Sequence, residues 1–202
     1  KLDMPEGWEF AAPETNEALG WTEASCLPVP GRWQLEQALR ESRGWRRLNY
    51  RLRTNAVGGA VCVAVTDEPE PRIALVRQER PAPGVWCWEA PRGVGEGTDG
   101  GAEQTALREL EEETGILAED PKFIRYQYPD TGTLADRVAV VITRVPQRSL
   151  RELRPSRETE EAALFTTAEV RRMIALGTVR DSITLGALLL AHEWKRAGGD
   201  FR

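Results

Sequence analysis

The sequence predicts an α/β protein in which a mixed β-sheet lies between helices. Three observations carry that prediction. Short apolar or alternating runs of strand length recur between residues 48 and 142. Two amphipathic helical patterns follow them, at 166–177 and 182–196. Among the strands stands one acidic helical segment, Arg108-Glu109-Leu110-Glu111-Glu112-Glu113-Thr114-Gly115-Ile116.

In chain order, residues 1–44 read as an N-terminal Trp/Pro-rich accessory segment and residues 45–202 as the main domain. Trp8, Trp21 and Trp33 are interleaved there with Pro5, Pro13, Pro28 and Pro30. Gly31 to Arg43 predicts a helix with Leu35, Ala38 and Leu39 inward and Gly44 as its stop. Beyond it, Leu48-Tyr50-Leu52 alternates, and the nearly continuous apolar run Gly59 to Val65 predicts a central strand. Asp67 to Pro71 is a loop, followed by strands at Ile73 to Gln78 and at Val85 to Glu89, the second closed by Pro91. Asp99 is the expected N-cap of the acidic helix, and Gly115 ends it. Phe123 to Tyr128 and Val138 to Ile142 predict strands around the loop Pro129-Asp130-Thr131-Gly132. After a charged loop, Thr166 and Glu169 form a capping box for a helix carrying Val170, Met173 and Ile174 and stopped at Gly177. The last helix, Ser182 to Arg196, sets Leu185, Leu188, Leu189 and His192 at helical spacing.

Composition narrows the function classes. A length of 202 residues suits one domain plus an extension. A net charge of −5 argues against a general nucleic-acid-binding surface. No apolar run approaches membrane-spanning length, which predicts a cytoplasmic protein without a membrane partner. Cys26, Cys62 and Cys87 are odd in number and widely spaced, matching neither a disulfide framework nor a CxxC metal site. They read as buried thiols in a reducing compartment. The single histidine, His192, leaves no room for a histidine-based triad or zinc site. Gly95-x-Gly97-x-x-Gly100 matches a dinucleotide-binding fingerprint, but several strands precede it and the helix after it is acidic, so it reads as a decoy.

The acidic segment carries the chemistry. At 3.6 residues per turn, Glu109, Glu112 and Glu113 share an arc of about 100°, while Glu111 points elsewhere. Leu107, Leu110 and Thr114 occupy a different arc that can be buried. Glutamate-rich runs are commonly solvated helix faces. Three like charges on one arc nonetheless repel, and a hard divalent cation is the natural counter-charge. The whole string, with arginine first and glycine near the end, arises by chance at roughly one start position in ten million. It resembles the Nudix box, whose core reads REUxEExGU with U an aliphatic residue.

Upstream the resemblance departs from the pattern. The box glutamate position holds Gly100 and the box glycine position holds Val94, unless Glu96 and Gly93 or Gly95 take those roles around an inserted residue. Gln78-Glu79-Arg80-Pro81-Ala82 resembles the QxRPA segment of ADP-ribose pyrophosphatases, and Trp88-Glu89-Ala90-Pro91-Arg92-Gly93 their WELPAG. The tail Arg180-Asp181-Ser182-Ile183-Thr184 is similar to the same branch, and the loop before Gly132 meets its pattern in part.

The resemblance implies a Nudix-type α/β/α sandwich with a mixed β-sheet. It also implies Mg²⁺ or Mn²⁺ held by Glu109, Glu112 and Glu113, with the backbone carbonyl of Arg92 as a further ligand. Arg108, one helical turn from Glu112, would orient that carboxylate. Glu158 or Glu160 would serve as general base, although a solvated loop accounts for them equally well. Arg80, Glu89 and Arg92 would contact the substrate, and a structural ion pair accounts for Arg80 equally well. The implied reaction is hydrolysis of a nucleoside diphosphate derivative, ADP-ribose first, with NADH, nucleotide sugars and diadenosine polyphosphates as alternative substrates. A non-hydrolytic sensor of ADP-ribose or NAD is a third reading. The resemblance further implies a homodimer.

Overall fold

A computed structural model describes residues 22–23, 33–42, 45–54, 58–150, 153–155 and 159–200. The chain divides into two units, residues 1–55 with 130–136, and residues 56–129 with 137–202. The described part of the first unit is a three-stranded antiparallel sheet, β1 (Thr22–Glu23), β2 (Trp33–Ser42) and β3 (Trp45–Thr54), in the order β1-β2-β3. Leu52 is further bracketed by backbone hydrogen bonds to Thr133 and Ala135, each of 2.8 Å.

The helix expected from Gly31 to Arg43 is therefore a strand. Leu35 and Leu39 lie four residues apart, a spacing that satisfies a helix and a strand alike. Pairing decides between them, because the register sets Leu35 opposite Leu52 and Leu39 opposite Leu48. The boundary expected after residue 44 falls between β2 and β3, and residues 45–54 group with the first unit.

The second unit is built on a seven-stranded mixed sheet. Its path runs β10-β5-β4-β9-β8, with β6 paired to β5 and β7 to β4. The strands are β4 (Gly59–Thr66), β5 (Arg72–Arg80), β6 (Val85–Glu89), β7 (Arg92–Val94), β8 (Glu119–Gln127), β9 (Val138–Val145) and β10 (Glu161–Thr166). Only β4 and β9 run parallel, and every other pair in this sheet is antiparallel. β4 explains its apolar run by being covered on both faces. Ala60, Cys62 and Ala64 pack with Ala106 and Leu110 of α1 (Ala102–Thr114). Val61 and Val63 face the other way, toward Val170 of α2 (Thr167–Ala175) and Ala187 and Ala191 of α3 (Ser182–Arg196). The result is an α/β/α sandwich.

Two strands escape the sequence pattern. Pro91 closes β6 as expected, but the chain restarts at once as β7, and the Pro91 carbonyl accepts the Cys62 N–H at 2.8 Å. β10 lies within what reads as a charged loop and becomes a strand by pairing along β5 from Glu161 to Thr166. The capping box at Thr166 forms as expected, with both reciprocal hydrogen bonds present. α3 spans the expected residues, but its fully buried positions are Thr184, Ala187 and Ala191. Leu189 and His192 point to solvent instead. Small side chains there let the helix lie close to the sheet. Among the described cysteines, Cys62 and Cys87 are buried thiols, whereas Cys26 lies outside the described residues. No helix among the described residues is long and apolar enough to cross a membrane.

Leu110, fully buried between α1 and the sheet, anchors the acidic helix. Leu110→Ala is expected to lower unfolding stability by about 3 kcal/mol in urea titrations. A loss well under about 1 kcal/mol would mean that α1 is not held by this contact.

Candidate active site

α1 is placed by its apolar side and stopped by its last turn. Leu110 and Thr114 are buried, and the Thr114 hydroxyl donates to the Leu110 carbonyl at 2.6 Å. Gly115 takes φ +73°, a left-handed conformation open to glycine, and its N–H closes on the Glu111 carbonyl at 2.7 Å. The rotation this fixes gives each glutamate a different surrounding. Glu111 and Glu112 are exposed, Glu109 is half-buried and Glu113 is buried.

Glu113 is the most constrained of the four. Its Oε1 accepts from Gln78 Nε2 at 2.6 Å and its Oε2 from the Arg92 backbone N–H at 3.2 Å. Burial pushes its carboxyl up to about 7, against the lowering effect of those two donors, and the neighbouring charge of Glu109 adds to the rise. Glu109 packs its carboxylate against the backbone of Gly93, where an added Cβ would clash with it. A side chain at residue 93 would therefore have to displace the Glu109 carboxylate.

Arg108 gathers the rest. Its Nη1 lies 2.9 Å from Glu109 Oε1 and 3.0 Å from Glu112 Oε2. Its Nη2 donates to the Val94 carbonyl at 2.8 Å. Its other partner is Asp99, which takes Nε and Nη2 on its two oxygens at 3.2 Å each. The Arg108 hydrogen bond, with help from the Glu96 N–H and Thr105, holds the Asp99 carboxyl down at about 2.

Asp99 thus does not cap α1. The helix starts at Ala102 with Gly101 as N-cap and no side-chain cap bond. The spacing of this pair also bears on the upstream departure. Gly93 and Asp99 are separated by five residues, as are the glycine and glutamate of the box, and the extra residue falls between Asp99 and Arg108. Asp99 is the acid that meets Arg108 in this loop, while Glu96 contributes a backbone N–H to it at 2.9 Å. The glycine-rich decoy sits in this same loop, after an antiparallel β7 rather than the opening strand of a βαβ unit.

A cationic cluster adjoins the acidic one. Glu89, fully buried on β6, accepts from Arg80 Nε at 2.9 Å and from Arg92 Nη2 at 2.9 Å. Arg92 Nη2 also reaches Asp181 Oδ1 at 3.3 Å. Thus Glu89 is occupied by two guanidinium groups. Glu160 is exposed at the foot of β10 and pairs with Arg77 at 2.9 Å, and Glu158 lies outside the described residues. Thr159 between them is buried, with its hydroxyl 3.4 Å from the Glu113 carbonyl, so this segment runs beside the end of α1.

A family model for the NUDIX domain matches residues 57–183. The chain belongs to the Nudix family. It is a Nudix pyrophosphohydrolase, an enzyme of a class that generally uses divalent metal ions. An uncharacterized Nudix hydrolase of Schizosaccharomyces pombe is 24% identical over 148 residues, covering 72% of this chain and 69% of the relative. The crystal structure of an ADP compounds hydrolase superposes with a TM-score of 0.65 at 18% identity, over 90% of this chain and 94% of that one. At that identity the likeness shows a shared fold alone.

For the Nudix helix of this chain, the structure brings Arg108, Glu109, Glu112, Glu113 and the Arg92 backbone into one neighbourhood. Among the described residues no three acidic side chains converge on one point, because Arg108 and Gln78 draw the carboxylates to themselves. The donor set still fits a hard cation. All the oxygens are carboxylate or carbonyl, the ligand class a hard cation takes. Nothing in the sequence pattern assigns a site role to Asp99, Gln78, Thr159 or Asp181. Asp99 carries a local signal as a helix cap, and Gln78 and Asp181 lie in the two segments, 78–82 and 180–184, that resemble the ADP-ribose pyrophosphatase branch.

Two outcomes follow. Because the folded-state value of Glu113 lies above its unfolded one, its protonated form contributes stability fully below about 4.5, and that contribution is lost as pH rises through about 7. In EDTA, wild type should therefore lose stability relative to Glu113→Gln between pH 5 and pH 8, by on the order of 3 kcal/mol. Parallel urea curves at the two pH values would remove Glu113 from this role. Gly93→Ala should displace Glu109 and weaken Mn²⁺ binding by on the order of 10–100-fold in calorimetric titrations. Unchanged affinity would take Glu109 out of the site.

Proposed function

We propose that this protein hydrolyses the diphosphate bond of a nucleoside diphosphate derivative, most directly ADP-ribose to AMP and ribose 5-phosphate, in a Mg²⁺- or Mn²⁺-dependent reaction. One observation carries the reading: Glu113 of the Nudix helix accepts from the backbone of Arg92, whose guanidinium, like that of Arg80, is anchored on the buried Glu89. A dianionic diphosphate needs both kinds of neighbour, cations for its oxygens and carboxylates for the metal.

In this reading Glu109, Glu112 and Glu113, with the Arg92 carbonyl, hold the metal. The bound ion supplies charge neutralisation at the phosphoryl oxygens and a more acidic water. Arg80 and Arg92 orient the diphosphate, with Arg92 bound through its guanidinium and Glu89 serving both arginines. Arg108 holds the Glu109 and Glu112 carboxylates beside each other. Hydrolysis forms one bond from a water oxygen to phosphorus and breaks the bond to the bridging oxygen. The water proton passes to a carboxylate, for which Glu158 and Glu160 are the candidates beside Thr159. ADP-ribose is preferred because the segments at residues 78–82 and 88–93 resemble that branch. A structural neighbour that acts on ADP compounds is in keeping with the choice. A homodimer in the cytoplasm belongs to the same reading, and light scattering tests the dimer.

A hydrolysis screen over ADP-ribose, NADH, nucleotide sugars and diadenosine polyphosphates with Mg²⁺ tests the proposal. Glu112 is exposed, so Glu112→Gln should fold normally while lowering turnover by on the order of 100-fold. AMP release that survives both EDTA and this substitution would sink the proposed site. Tight binding without turnover of any substrate would favour the sensor.

A further inference from the structure

The first turn of α3 grips the strand that carries Arg92, and it does so with more bonds than a helix cap needs. Asp181 is the N-cap, and its Oδ2 accepts from the Thr184 N–H at 2.8 Å and from the Thr184 hydroxyl at 2.9 Å. That completes the cap. The other oxygen, Oδ1, lies 3.3 Å from Arg92 Nη2. Thr184 Oγ1 in turn accepts from the Ala90 N–H at 3.1 Å. The segment Glu89-Ala90-Pro91-Arg92 is thereby held at two points by one helix end. This segment also sends the Arg92 N–H to Glu113 and carries Gly93 against the Glu109 carboxylate.

Charge explains why the cap is an aspartate. Arg80 and Arg92 share the single buried carboxylate of Glu89, which balances one of them. Asp181 supplies the second negative charge at Arg92. Asparagine caps helices as well as aspartate does, so the cap alone does not require the charge. The placement of Arg92 is also not the one that maximises its own hydrogen bonding, because its Nε is buried without a partner. Orphaned buried donors are rare in folded proteins. Arg92 further stands where the WELPAG pattern has alanine, so this brace acts on a cation that the pattern lacks.

We infer that Asp181 is a positioning residue for diphosphate binding: from the N-terminus of α3 it fixes the guanidinium of Arg92 at the site. The inference rests on the hydrolase reading above and adds to it a residue 89 positions away in sequence from its arginine. It also makes Glu89 a holder of arginines rather than a substrate contact.

Inorganic pyrophosphate with Mg²⁺ is the probe, titrated by calorimetry into the full chain. Asp181→Asn keeps a capping side chain and removes the charge. It should weaken pyrophosphate binding about tenfold while leaving the thermal midpoint within about 2 °C of wild type. Arg92→Ala should weaken binding at least as much, and the double variant should bind no worse than Arg92→Ala alone. Asp181→Ser, which also caps, should reproduce the asparagine result and guards against a folding defect peculiar to one substitution. The idea is overturned by wild-type affinity in Asp181→Asn, by losses that multiply in the double variant, or by a wild type that does not bind pyrophosphate. Coupled pyrophosphate binding without hydrolysis of any nucleoside diphosphate derivative would sustain the inference and reject the hydrolase reading.

Discussion

Three carboxylates held within about one turn of helix repel one another, and the rest of the second unit is arranged around offsetting that repulsion. Arg108 is the principal device. It spans Glu109, Glu112 and Asp99 and ties all three to the Val94 carbonyl. Glu113 is treated differently. It is drawn out of water onto Gln78 and the Arg92 backbone, where burial raises its proton affinity. In the proposed reading a divalent ion would supply the counter-charge, and its binding would require Glu113 deprotonated.

A second balance lies beside the first. Two arginines on the rim of β5, β6 and β7 are set against Glu89 and Asp181, so the cationic half of the site is nearly neutral before any anion arrives. Pairing of this kind holds guanidinium groups in fixed orientations at modest net energy, which matters more for positioning than for stability. The acidic cluster rides on α1, on one face of the sheet. The arginine brace comes from α3, whose buried residues cover the opposite face. The backbone from Glu89 to Gly93 joins the two, bonded to Glu113 on one side and to the α3 cap on the other.

Much of the second unit is legible in the amino-acid sequence. Periodicity locates α1 and α3, Thr166 and Glu169 announce α2, and the core strands show as apolar runs. The departures have specific physical origins. Leu35 and Leu39 fit both periods, and pairing with residues 45–54 makes their segment a strand. β10 carries too much charge at its start to look like a strand, and it exists because β5 offers an edge. Asp99 looks like a cap from its position, yet its carboxylate is taken by Arg108 and Thr105.

The sequence by itself determined the layout of one helix: which glutamates share an arc, where the helix stops, and the family to which the box belongs. Those properties depend on neighbours three or four residues apart, and helical geometry is the same in any surroundings. Only the tertiary structure decided which acid holds Arg108, what holds Glu113, and which helix end steadies Arg92. Gln78 meets Glu113 across 35 residues and Asp181 meets Arg92 across 89. Contacts at such separations are made by the packing of the sheet and leave no periodic trace in the chain.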